Sequence, residues 1–130
     1  MAYRKKNNVL KTPAPSPRFM TFAFNCNGSG APGSVSGSNY SVSRTDTGAY
    51  TVALSGNFTG GTQILAAGCN MHINLHTDAT DPPVANIGSI SGSAGTIHIL
   101  THVAGTLADV TAASGSVHGW VMIRDTDRTF

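Results

Sequence analysis

Tyr40-Ser41-Val42-Ser43-Arg44-Thr45-Asp46-Thr47-Gly48-Ala49-Tyr50-Thr51-Val52-Ala53-Leu54 carries two runs of period two on either side of one glycine. Tyr40, Val42 and Arg44 alternate with Ser41 and Ser43, and Tyr50, Val52 and Leu54 alternate with Thr51 and Ala53. Successive side chains of a strand point to opposite faces, so each run buries one row and leaves the other to solvent. Thr45-Asp46-Thr47-Gly48 separates the runs, and Gly48 supplies the positive φ that a tight hairpin turn requires. The segment predicts a β-hairpin.

The chain on both sides follows the same pattern. Phe19 to Cys26 reads as a first strand, stopped by the glycine- and proline-rich stretch 27–33. After a break at Gly60-Gly61, Gln63 to His76 forms a long run in which Ile73 and Leu75 are expected to face the core and His72, Asn74 and His76 to face outward. A loop at 78–83 leads to two strands, Val84–Ile90 and Thr96–Val103, separated by Ser91-Gly92-Ser93-Ala94-Gly95. Residues 105–115 form a connector that allows a short helical turn, and Val117–Arg124 is a closing strand. Six or seven short strands at regular spacing predict an all-β chain, an antiparallel β-sandwich of jelly-roll-like form or a partly closed barrel.

Composition agrees. All six acidic residues are aspartates, there is no glutamate, and the charged fraction is 11%. Exposed helix faces depend on Glu, Lys, Gln, Arg and Ala, whose side chains lose little freedom on a helix. Here Ser, Thr, Gly, Val and Ile take their place, as strands and turns prefer. A length of 130 residues suits one domain with one core.

The net charge of +2 conceals an uneven distribution. Arg4, Lys5, Lys6, Lys11 and Arg18 fall in the first 18 residues with no acid among them, so the rest of the chain sets three basic residues against all six aspartates. Together with Pro13, Pro15 and Pro17 this defines a basic, proline-rich N-terminal arm over 1–18, ahead of a β-sandwich domain over 19–130. Such an arm cannot pack by itself and needs a partner to become ordered. No apolar stretch follows the basic cluster as a secretory signal requires, and no run approaches the roughly 20 apolar residues of a membrane span. The chain therefore reads as neither secreted through a signal peptide nor membrane-inserted.

Candidate chemistry is sparse. His72 and His76, like His98 and His102, have a spacing that joins two metal ligands on a helix. On a strand the same spacing holds them about 13 Å apart, too far for one ion except across strands or subunits. They read as interface or surface histidines, with no metal and no cofactor. Gly-x-Ser-x-Gly, His-Glu-x-x-His and the P-loop pattern are all missing, and the aspartates fall in loops or at strand ends, so no enzyme is expected. Cys26 and Cys69 lie in apolar alternating runs and read as core thiols, a disulfide requiring that their strands be neighbours. Trp120, the lone tryptophan, alternates with His118 and Met122 on the closing strand, which points to interface or core packing rather than an exposed lectin platform. Basic residues interleaved with aromatics on a sheet face, the mark of nucleic-acid binding, do not occur in the body, so no specific nucleic acid is expected.

Two segments carry a resemblance. Val42-Ser43-Arg44-Thr45-Asp46-Thr47-Gly48-Ala49-Tyr50-Thr51-Val52-Ala53-Leu54 is similar to a V-x-R-x-x-T-G-x-Y-T-V-x-L hairpin of small tailed-bacteriophage virion proteins. Ile97 to His102, Gly105-Thr106-Leu107-Ala108-Asp109 and Val117 to Ile123 resemble the closing strand, G-x-x-x-D connector and final strand of the same group. The resemblance implies a non-enzymatic assembly module, commonly a homotrimer, of the kind found in capsid decoration (cement) proteins and tail fibres. The absence of a fibrous shaft favours a capsid decoration protein, with a tail, baseplate or short receptor-binding protein as the alternative. The implied partners are the major capsid protein, contacted through the arm residues Arg4, Lys5, Lys6, Lys11 and Arg18, and further copies of the chain, contacted through His72, His76, His98, His102 and Trp120. The implied location is the virion, after synthesis in the host cytoplasm.

Overall fold

The structure, a computed structural model, describes residues 17–36, 39–55, 62–72, 82–110 and 115–125. Nine strands run in chain order: β1 (Arg18–Asn25), β2 (Gly33–Ser36), β3 (Tyr40–Asp46), β4 (Ala49–Leu54), β5 (Thr62–His72), β6 (Val84–Ser91), β7 (Thr96–Val103), β8 (Thr106–Leu107) and β9 (Ser116–Asp125). All pair antiparallel in two sheets, the first in the order β2-β1-β9-β5 and the second in the order β3-β4-β7-β6, with β8 added beside β7. The fold is an antiparallel β-sandwich.

The expected hairpin is β3–β4, with Tyr40 opposite Leu54 and Val42 opposite Val52, and Gly48 has φ of 63°. Alternation decides what each strand buries. On β4 the inner row is Tyr50, Val52 and Leu54, on β7 it is Ile97, Ile99 and Thr101, and on β9 it is Val117, Val121 and Ile123. These rows meet Phe22 and Phe24 of β1 in one core, where Phe24 and Tyr50 bring their rings to 5.2 Å across the layers. Each such side chain withdrawn from water contributes about 1.5–3 kcal/mol.

Glycine allows the closest contact in this core. Gly119 stands opposite Phe22 in the β1–β9 ladder, and a Cβ there would lie 2.2 Å from Phe22 Cζ and 2.7 Å from the Gly68 carbonyl oxygen. The phenyl ring therefore rests on bare backbone. Tyr40 then bridges the layers from the edge of the second sheet: its hydroxyl accepts from the Ala23 N–H at 2.9 Å and donates to the Ala23 carbonyl at 3.2 Å.

Several expectations change. Arg18, assigned to the arm, opens β1 opposite Ile123, because the β1–β9 ladder runs one residue beyond the apolar pattern. β2 occupies part of a stretch rich in glycine and serine, where no hydrophobic alternation marks it. No helical turn occurs in the described part of the connector. Ala104 and Gly105, at φ of 54° and 81°, instead reverse the chain so that β8 returns along β7, Val103 opposite Thr106. Positive φ at both central residues is the signature of a two-residue hairpin turn. The arm over 1–16 and the residues Ile73, Asn74, Leu75 and His76 lie outside the described residues.

Candidate functional site

The β3–β4 turn and the G-x-x-x-D connector are distant in sequence and touch in space. Arg44 Nε and Nη2 donate to the two carboxylate oxygens of Asp109 at 3.0 and 2.8 Å, a paired contact between residues 65 positions apart. The Gly48 N–H donates to the same carboxylate at 2.9 Å. Thr101 completes the clasp: its N–H donates to the Gly48 carbonyl at 2.8 Å, its hydroxyl donates to the Ala108 carbonyl at 2.7 Å, and its carbonyl accepts from the Ala108 N–H at 3.1 Å. Gly48 is required for space as well as for φ, since a Cβ there would lie 2.8 Å from both Ala108 N and Thr101 O. Beyond Asp109, Val110 packs in the core and its carbonyl accepts from the Gly28 N–H at 3.0 Å.

Charge follows this geometry. Arg44 and the Gly48 N–H hold the Asp109 carboxyl below its ordinary range, and Asp109 in turn raises Arg44. Both side chains, 21% and 19% exposed, keep contact with water, so the pair acts through its fixed two-point geometry rather than through desolvation. Beneath it, burial pushes the Cys26 thiol and the Tyr50 phenol up, and the two groups also perturb each other. The Tyr50 hydroxyl has no hydrogen-bond partner among the described residues. Cys69, on the inner side of β5, is pushed up to about 11 by burial. Both thiols are free. The clasp ties the β3–β4 turn to the connector.

The residues expected at a subunit interface divide between the two outer faces. On the first sheet, His72 is exposed and its ring stands 5.6 Å from that of His118, whose Nε2 lies 3.1 Å from Ser116 Oγ. Trp120 is on the same face, 41% exposed, with Phe19 beside it. On the second sheet, His98 Nδ1 lies 3.1 Å from Thr51 Oγ1. His102 stands between Val84 of β6 and Leu107 of β8 in cross-strand register, and those two side chains are 46% and 44% exposed. The structure thus separates His72 and Trp120 from His98 and His102 by the thickness of the sandwich. His76, Arg4, Lys5, Lys6 and Lys11 lie outside the described residues. Among the described residues no three His, Cys, Asp or Glu side chains converge on a metal position.

Sequence reading did not join Arg44 to Asp109, although both stand in the motif segments it quoted. An arginine on the apolar row of a strand and an aspartate in an otherwise uncharged connector were the available signal. Compared with protein-family models, with curated proteins and with solved structures, the chain matches none.

Proposed function

We propose that the chain is a structural protein of a tailed-bacteriophage virion, a capsid decoration (cement) protein that seats on the outer capsid surface and stabilises the head without catalysis. The observation that carries this reading is the convergence of the two resembling segments in the Arg44–Gly48–Asp109 clasp. Residues that recur in a motif for packing and loop-locking belong to a building block rather than to a reaction site. The basic arm supplies the attachment, since an extended cationic segment suits an acidic shell and gains affinity by becoming ordered there.

The module works as a homotrimer. The row Val84–His102–Leu107 on the second sheet presents two exposed apolar side chains around one imidazole, a patch suited to association with a further copy. A ring also shields strand edges from open-ended pairing. The alternative, a tail, baseplate or short receptor-binding protein, draws support from the exposed aromatic pair on the first sheet.

Co-expression with the major capsid protein, followed by sedimentation and cryo-electron microscopy of the particles, tests the reading. Density for the sandwich on the outer head surface at fixed stoichiometry is expected. Density at the tail tip would replace the proposal with its alternative, and failure to sediment with particles would remove both.

A further inference from the structure

Trp120 is the chain's single tryptophan and stands on the outer face of the first sheet. A Cβ built on Gly68, its cross-strand neighbour on β5, would lie 2.6 Å from indole Nε1, 2.8 Å from Cε2 and 2.9 Å from Cζ2. The Nε1–Cε2–Cζ2 edge of the indole therefore covers the glycine, and the side chain as a whole stays 41% exposed. Phe19, 64% exposed, flanks it with ring centroids 6.1 Å apart and a tilt of 57°.

A groove of about 670 Å³ runs along β1, bordered by Phe19 and not by Trp120 itself, so that Phe19 joins the indole to it. Thr21, the cross-strand partner of Trp120 on β1, lines it together with Phe19, Asn39 and His118. A hydroxyl, an amide and an imidazole can each donate or accept. Exposed aromatic surface beside such groups suits a ligand with one apolar face and a rim of hydroxyls. A stacked nucleotide would need a cation near the ring for its phosphate. Arg18 directly precedes Phe19 on β1 and Arg124 is four residues along β9, about 13 Å at strand rise, so a nucleotide is the competing occupant that titration with oligothymidylate separates.

We infer that the outer face of β1, β9 and β5 is a saccharide-binding site in which Trp120 and Phe19 stack on pyranose rings and Thr21, His118 and, farther along the groove, Asn39 hold their hydroxyls. The site goes beyond the capsid reading and stands on a different face from the Val84–His102–Leu107 patch. It would give a particle a neutral-glycan contact with the surface of a cell.

Because Trp120 is alone, its fluorescence reports the site directly. The full-length chain is titrated with maltohexaose, cellohexaose and N-acetylchitohexaose to millimolar concentration, and run on native gels containing dextran, hydroxyethylcellulose or glycol chitin. A saturable change in emission with at least one oligosaccharide, and retardation by the matching polymer, are expected. Trp120→Ala should weaken retardation by about tenfold or more. Trp120→Phe should retain part of it, and Gly68→Ala, which lifts the indole from the sheet, should weaken it while circular dichroism stays unchanged. Three outcomes overturn the inference: no response to any of the three glycans, undiminished binding by Trp120→Ala, or an emission response to oligothymidylate in their place. Emission that shifts with protein concentration in the absence of sugar also overturns it, because a second copy then covers the indole. None of these results depends on whether the chain sediments with capsids.

Discussion

Gly119→Ala is the sharpest test of how the sandwich is packed. In a strand, replacing glycine by alanine normally stabilises slightly, because the unfolded chain loses freedom. Here the new methyl would lie 2.2 Å from Phe22 Cζ and 2.7 Å from the Gly68 carbonyl oxygen. Carbon atoms at rest stand about 3.5–4.0 Å apart, so the ring must move by more than about 1 Å. Phe22 is 3% exposed and its edge meets Tyr40, itself tied to the Ala23 backbone; the ring can shift only toward the groove along β1, and the Gly68 carbonyl, being backbone, cannot swing away at all. Overpacking of this kind costs about 1–3 kcal/mol, and moving the backbone of β5 brings the expectation to the top of that range. A loss of about 3 kcal/mol lowers the melting temperature of a domain this size by about 10–15 °C. Thermal denaturation followed by circular dichroism at 218 nm, a standard β-sheet wavelength, measures it. Phe22→Leu alone should cost about 1–2 kcal/mol by leaving a small void. Combined with Gly119→Ala it should cost clearly less than the sum, by about 1 kcal/mol or more, because the shorter side chain vacates the space that the methyl needs. A Gly119→Ala protein that melts within about 2 °C of the parent, or a strictly additive double variant, would refute the packing argument.

Four further outcomes follow from other parts of the molecule. Asp109→Asn should lower the melting temperature at neutral pH; since the folded carboxyl titrates below its unfolded value, the pair's contribution is present above about pH 4 and fades as pH falls further, so the gap between variant and parent should close in acid. Ala104→Gly should raise stability by up to about 1 kcal/mol, seen as a higher denaturant midpoint, because it relieves a left-handed backbone at 54°. At pH 7.5, iodoacetamide should alkylate Cys69 slowly and Cys26 only on unfolding, as followed by mass spectrometry, since burial keeps both thiols protonated. Removal of 1–17 should leave the β-sheet circular dichroism intact and abolish retention on capsids, and Arg4→Ala, Lys5→Ala and Lys6→Ala together should weaken retention more visibly at low salt than at high salt.

What the sequence made legible was what alternation controls. The rows Tyr50/Val52/Leu54 and Ile97/Ile99 announce their inner faces because a one-residue slip would expose all of them. β2 escaped notice because Gly33-Ser34-Val35-Ser36 has one apolar residue, and its place is fixed by β1 rather than by its own pattern. β8 escaped because two residues have no period. Alternation of Trp120 with Met122 leaves core and interface both open; the fold puts it on an outer face, where Gly68 on the neighbouring strand leaves room for the indole. No single-strand pattern contains that information. The Arg44–Asp109 contact was hidden for the same reason: it joins positions that only the completed fold brings together.

The position of β9 also governs how the chain can come to be folded. Every strand of the second sheet lies within 40–107, although β4 waits about 50 residues for its partner β7, so that layer can close once residue 107 has been made. The first sheet cannot, because β1 and β5 are each hydrogen-bonded to β9, which follows both of them and the whole second sheet in the chain. Until β9 is made, β1, with Phe22 and Phe24, has only the short β2 beside it, and β5 is joined to neither. Long-range closure of this kind folds slowly and leaves apolar edges unpaired in the interval. A weakened β9 is therefore expected to show first as aggregation of newly made chain rather than as lost function.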